Sequence, residues 1–179
     1  MGIRAVLVGA FALCFVLGCA PAPKDLPPSD PRLENIQIIH TLVVAENARK
    51  GPLSREAKSE DWTEVFEAAL QRQFSRYQGP QIYHIGIGID GYVLAQPGIP
   101  IAFSPKSTLV FTANLWDNRT QDVVNSEPKR FVVFEGVSGE TLIGSGLTRT
   151  KVEQMDALVR NAARDVEAWI ADNPDFTAP

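Results

Sequence analysis

The chain has 179 residues, 45% of them hydrophobic, with 17 Lys and Arg against 21 Asp and Glu and a formal net charge of −4 at pH 7. That mildly acidic balance, with no basic patch interleaved with aromatics, argues against a nucleic-acid binder. The length suits one domain with a core of ordinary size, and two cysteines, Cys14 and Cys19, restrict thiol chemistry at the outset.

Residues 1–18, MGIRAVLVGAFALCFVLG, carry one positive charge at Arg4 and then an apolar stretch from Ala5 to Leu17. A basic start, an apolar run of about 7–15 residues and a small-residue exit make a signal peptide. The run is shorter than the roughly 20 apolar residues that a membrane-spanning helix needs. Two cleavage sites compete. Ala20-Pro21-Ala22 has the small-x-small form of the ordinary site, but Pro23 would follow the cut. Val16-Leu17-Gly18-Cys19 resembles the lipobox of bacterial lipoproteins, with Leu17 its less usual member, and this second site is preferred. The resemblance implies cleavage between Gly18 and Cys19, with diacylglycerol on the cysteine. Processing then removes Cys14 and acylates Cys19, which excludes disulfides, thiolate nucleophiles and cysteine metal sites together. Two or more acyl chains attach a protein lastingly where one is marginal, so membrane lipid is the first expected partner. In a Gram-negative cell, Ala20 after the cysteine resembles the pattern for sorting to the periplasmic leaflet of the outer membrane.

Residues 19–34 follow as a tether. Five prolines and little apolar bulk in residues 20–34 predict a polyproline-like spacer reaching on the order of 45 Å. A single domain is expected over 35–173, with 174–179 a tail. Its first element is a strand over Ile36–Ala45, rich in β-branched residues. A polar loop over 47–58 leads to a helix capped by Ser59, with Glu60 and Asp61 in its first turn. Trp62, Val65, Phe66, Ala69, Leu70 and Phe74 then recur at helical spacing and predict one buried face.

From Gln81 the period changes to two: Ile82, His84, Gly86, Gly88 and Asp90 alternate with Tyr83, Ile85, Ile87 and Ile89, which predicts a strand. Residues 91–106 form an apolar loop broken by Pro97, Pro100 and Pro105. Strands over Ser107–Trp116, Arg130–Val137 and Thr141–Leu147 complete an antiparallel meander, the last two joined by a turn at Ser138-Gly139. Thr150 and Glu153 form a capping box for a final helix. Val152, Met155, Val159, Ala162, Val166 and Trp169, with Leu158 and Ile170 beside them, give its core face, and Asn173-Pro174 ends it. The expected fold is α+β: a two-layer sandwich, with a mostly antiparallel sheet of about five strands and two amphipathic helices on one face.

Chemistry is sparsely signed. Gly86 to Gly91 satisfies the letters of a dinucleotide-binding fingerprint, but the glycines lie within a strand pattern and no helix can open after them, so no cofactor is expected. Glycines on one strand face more often make room for a helix packed across them. His40 and His84 could meet on the sheet, with a carboxylate such as Asp90, but no metal spacing supports a site. Serines such as Ser104, Ser138 and Ser145 lack a nucleophile elbow. Asn118-Arg119-Thr120 has the glycosylation form, to which no role is given in a bacterium. The 91–106 loop is the informative remainder. Tyr92, Leu94, Ile99, Ile101 and Phe103 either cap the core or form an apolar patch for a partner.

The lipobox, the proline tether, LVVAEN, TLVFTANLWDN and FVVFEGVSGETL before an amphipathic helix resemble small alphaproteobacterial lipoproteins. In outline the chain is similar to the two-layer domains of periplasmic lipoproteins that assist transporters, secretion channels or cell-wall synthases. That resemblance implies partner binding and brings no catalytic residues with it. The expectation is a non-enzymatic accessory lipoprotein that binds an envelope protein through the 91–106 loop or the exposed sheet face. Binding of a small apolar ligand or lipid between sheet and helices is the alternative.

Overall fold

The computed structural model describes residues 26–96, 106–135, 150–173 and 176. The expected signal peptide, the expected Gly18–Cys19 cleavage site, the segment with Ile99, Ile101 and Phe103, and the expected Thr141–Leu147 strand lie outside them. Among the described residues are six strands and two helices: β1 (Ile36–Val44), β2 (Arg49–Lys50), α1 (Ser59–Phe74), β3 (Gln81–Val93), β4 (Thr108–Asp117), β5 (Asp122–Val123), β6 (Lys129–Phe134) and α2 (Lys151–Asp172). The fold is α+β, with an open mixed sheet. β3 and β4 are its centre; β1 flanks β3, while β5 and β6 pair with β4. The meander over β3, β4 and β6 is antiparallel as expected, whereas β1 joins β3 in parallel. A parallel neighbour needs a crossover connection, and α1 provides it.

Alternation along the central strands sets the core. Tyr83, Ile85, Ile87 and Ile89 of β3 and Leu109, Phe111, Ala113 and Leu115 of β4 are buried beneath the helices. Phe111 meets Phe66 of α1 edge-on at 5.1 Å and stacks on Phe131 of β6 at 4.8 Å. The stripe on α1 buries Trp62, Phe66, Ala69, Leu70 and Phe74. Its N-cap is Lys58 rather than Ser59, and the Lys58 N–H donates to the Asp61 carboxylate at 3.4 Å. On α2 the capping box forms as expected: Thr150 N–H donates to Glu153 Oε2 at 2.7 Å, and Glu153 N–H to Thr150 Oγ1 at 3.3 Å. Val152, assigned to the buried stripe, is instead 61% exposed, because the buried face of α2 begins at Gln154 and Met155.

The helices run in the same direction. Lys151 Nζ meets Asp61 at 2.7 Å between their first turns, and Gln73 Nε2 donates to Glu167 at 2.7 Å near their last. Glu167, 9% exposed, also accepts from Arg76 and from Tyr77 Oη, each at 2.5 Å. Three donors on one carboxylate supply the partners that a buried charge requires.

Two boundaries read from composition shift. Pro31–Leu33 is a 3-10 turn capped by Asp30, and Leu33 is fully buried, so the last residues assigned to the spacer are part of the domain. One leucine among prolines is enough, because the helix ends leave an apolar seat for it. At the other terminus Phe176, assigned to the tail, is 1% exposed and packs edge-on against Trp169 at 5.2 Å.

The Tyr77 hydroxyl is pushed up to about 12, first by burial and then by the hydrogen bond it donates to Glu167. An unfolded tyrosine titrates near pH 10, so the folded chain holds this proton more tightly. The stabilisation is fully present below about pH 10 and is lost as pH rises towards 12. Tyr77→Phe should therefore be less stable than wild type by about 1–3 kcal/mol at pH 8. That gap should narrow above about pH 10, as read from urea midpoints across the range.

Candidate functional site: the open face of the sheet

Among the described residues, no helix lies against the face of β3 and β4 opposite the core. On β3 that face carries Ile82, His84, Gly86 and Gly88, and on β4 Thr108, Val110, Thr112, Asn114 and Trp116. Register extends the face sideways. Parallel pairing sets His40, Leu42 and Val44 beside His84, Gly86 and Gly88, and antiparallel pairing sets Phe134, Val132 and Arg130 beside Thr108, Val110 and Thr112. Leu42 is 64% exposed, Val132 52% and Phe134 56%. Both flanks of the sheet thus show apolar side chains to solvent, while its middle is shallow.

The shallow middle is made by glycine. A Cβ built on Gly86 would meet nothing within 4 Å, and one on Gly88 would meet only the Thr112 hydroxyl, at 3.2 Å. These glycines therefore do not make room for a packed helix, as their spacing suggested; the helices lie on the other side, and Gly86 opens onto solvent. The mistake has a physical origin, since period two puts the glycines on one face without saying which face the helices cover. Two irregularities bound the trough: the pairing slips at Ile39 on β1 and at Asp90 on β3. Asp90 lies 3.9 Å from Arg130, an exposed pair of little energetic weight.

His40 and His84 do meet. Their rings stack with centroids 5.2 Å apart and planes 7° from parallel, and His84 Nε2 is 3.2 Å from the Asn118 side-chain oxygen. Nitrogen lone pairs lie in the ring plane, so two stacked rings do not aim them at one ion. Among the described residues no group of three or more His, Cys, Asp or Glu could hold a metal. Asp90 is six residues along β3 from His84 and does not join the pair.

Two of the candidate partner-surface residues belong to the core instead. β3 continues past its bulge to Val93, and Tyr92 is 5% exposed and Leu94 fully buried. The Tyr92 hydroxyl donates to the Ala57 carbonyl at 3.0 Å and accepts from the Ala57 N–H at 3.2 Å. The backbone N–H groups of Leu94 and Ala95 are held by the hydroxyls of Ser54 and Ser107. Pro97 made the whole 91–106 stretch look irregular, although the strand runs on for three residues after Asp90. What the sequence did not single out is the apolar fringe, because Leu42 and Phe134 each read as one more strand residue.

Two surface hollows lie at the margins of this face. One of about 500 Å³ runs between β1 and α1, lined by Gln37, Ile39, Glu67 and Gln71 among others. Another of about 440 Å³ lies between β6 and α2, with Val132, Phe134, Asn161 and Arg164 on its walls. Between sheet and helices, Phe66, Phe111 and Phe131 pack in series within a buried cluster that is mostly aliphatic.

No family model matches the chain, and no curated protein is significantly similar to it. Among solved structures it is similar to protein XCC0632 from Xanthomonas campestris, assigned to DUF330, with 15% identity over 79% of this chain and 88% of that one and a TM-score of 0.48. It is similar to an inferred lipoprotein from Caulobacter crescentus, with 10% identity over 78% and 90% and a TM-score of 0.39. The hypothetical protein CT253 from Chlamydia trachomatis is a third, with 10% identity over 80% and 98% and a TM-score of 0.41. These are likenesses in outline, and no residue role is carried over from them.

Glycine inside a strand costs about 0.5–1 kcal/mol relative to alanine, and Gly86 has room for a side chain. Gly86→Ala should therefore raise stability by about 0.5 kcal/mol, and Gly86→Val should fold at least as well as wild type, as measured by denaturant midpoints with an unchanged m-value.

Proposed function

We propose that the protein is a lipid-anchored lipoprotein of the bacterial envelope, a non-enzymatic accessory module that binds another envelope protein on the open face of its sheet. The observation that carries this reading is the uncovered face itself, with Leu42, Val44, Val132 and Phe134 exposed on either side of the Gly86–Gly88 trough. Exposed apolar side chains gathered on one surface mark interaction sites. Gly86 adds weight, because a residue that weakens its strand and fills no close contact is one the fold alone does not require. The anchor rests on the signal peptide and on Cys19 in its lipobox-like setting. Outer-membrane attachment facing the periplasm follows from Ala20 in a Gram-negative cell.

Ligand binding between the two layers has less in its favour, since Phe66, Phe111 and Phe131 pack against one another there. A hydrolytic reading would need a histidine beside a carboxylate or serine, and His84 has Asn118 and His40 as its neighbours.

The test is proximity crosslinking with mass spectrometry in the native envelope, comparing wild type, Cys19→Ala and Leu42→Asp/Phe134→Asp. One reproducible envelope protein should be captured by the wild type and lost from both variants. Because Leu42 and Phe134 are exposed, the double variant should keep its thermal midpoint, with each substitution costing no more than about 0.5 kcal/mol. Capture unchanged by the double variant would remove the sheet face as the site. A co-purifying lipid with no captured protein would move the function to ligand binding.

A further inference from the structure

The chain enters the domain through a built junction rather than a free spacer. Asp30 N–H donates to Tyr77 Oη at 2.8 Å, and Arg76, which also meets Glu167, donates to the Pro27 carbonyl. Arg32 pairs with Asp30 and with Asp172, each at 2.7 Å, while Leu33 N–H donates to Asp30 O at 3.1 Å. Leu33 is fully buried. Residues 27–33 are thereby held by the last turns of both helices at once: Arg76 and Tyr77 follow α1, and Glu167 and Asp172 belong to α2. Exposed ion pairs such as Arg32–Asp172 contribute little. The buried leucine and the Glu167 cluster contribute most of the hold.

This junction lies at one end of the sheet. β1 and β3 begin there, with Ile36 beside Gln81, and β4 ends there, with Asn118 N–H donating to Ile82 O at 3.0 Å. The opposite end carries Val44, Val93 and the first turns of both helices, and is separated from the junction by β3. Thirteen residues of strand span about 40 Å.

We infer that residues 27–33 are a docked strap that fixes which end of the domain faces the membrane. The inference rests on the reading of Cys19 as the lipid anchor. From Cys19 to Leu26 there are eight residues, and at no more than about 3.6 Å each they reach at most about 29 Å. The strap end is therefore kept within that distance of the headgroups, the opposite end can stand about 40 Å farther out, and in that presentation the open face runs between them along the membrane normal. A partner that fits this presentation is itself rooted in the same membrane or projects from it, and meets the sheet face edge-on.

The full lipidated chain on anionic-lipid vesicles tests this. Once Cys14 is removed and Cys19 acylated, an introduced cysteine is the only free thiol. A fluorophore on Arg119→Cys, at the strap end, should be quenched more strongly by a headgroup-located quencher than one on Glu46→Cys, just beyond the end of β1. In the same sample the amides of Asp30 and Leu33 should exchange slowly. Tyr77→Phe/Arg76→Gln should speed their exchange about tenfold or more and bring the two quenching values together, with Ile85 and Phe111 amides still protected. If the double variant unfolds, the wild type decides alone. Equal quenching of the two labels, or unprotected Asp30 and Leu33 amides in the wild type, would overturn the strap. A chain that does not bind vesicles would overturn the anchor, while its amide exchange would still report on the strap.

Discussion

Only one face of the sheet can be covered by the two helices, and most of the architecture follows from that constraint. β3 and β4 place Tyr83, Ile85, Ile87, Ile89, Leu109, Phe111, Ala113 and Leu115 on one side. Each of the isoleucine, leucine and phenylalanine side chains gains about 1.5–3 kcal/mol on full burial, so the amphipathic stripes of α1 and α2 are drawn to that side together. Lying there in parallel, the helices bring their first turns to one end and their last turns to the other. The shared Glu167 cluster at the last turns is a consequence of this arrangement, and so is the docking of the incoming chain against it.

The same constraint leaves the second face open. Nothing in the two helices can reach it, and its composition is not that of an ordinary solvated strand surface. Polar residues such as Thr112 and Asn114 sit in the middle, while exposed apolar side chains stand at Leu42 and Val44 on one flank, at Val132 and Phe134 on the other and at Trp116 near the end of β4. A sheet with one wet face normally alternates apolar inward with polar outward. Leu42 and Phe134 break that pattern on the outward side, and Gly86 lowers the floor between the margins. Stability gains nothing evident from any of the three, which is why binding is the reading that accounts for all of them.

Much of this was legible in the sequence. The switch from a period near 3.6 in α1 to a period of two at Gln81, and the Thr150–Glu153 box before α2, are local signals whose cause lies within a few residues. The fold class follows from their order. What was not legible depends on distant partners. Leu33 and Phe176 are single apolar residues in polar or proline-rich surroundings, and only the helix ends they meet make them core. Tyr92 is held by Ala57, 35 residues earlier, so proline-rich neighbours disguised a continuing strand. The face on which Gly86 and Gly88 lie was read correctly as one face, but which face was covered is decided by where the helices settle. Likewise, two histidines 44 positions apart in the chain were expected to be able to meet, and the register of β1 on β3 brings them together. Their stacked geometry rather than their proximity is what disfavours metal binding.

A docked strap changes what an anchored domain can do. On a free 45 Å spacer the domain would rotate independently of the membrane, and any patch on it would meet a membrane partner in all orientations. With residues 27–33 held against the helix ends, only the eight residues from Cys19 to Leu26 would separate strap from anchor, and the long axis of β3 would be set relative to the proposed attachment point. Orientation lost before binding need not be lost during it, and preorganisation of this kind raises affinity without any new contact. The Glu167 cluster and the open face are on different parts of the molecule and share no residue. They are nevertheless coupled through the rigid sheet between them, because whatever fixes one end of β3 relative to the membrane also fixes the direction in which Leu42, Gly86 and Phe134 look.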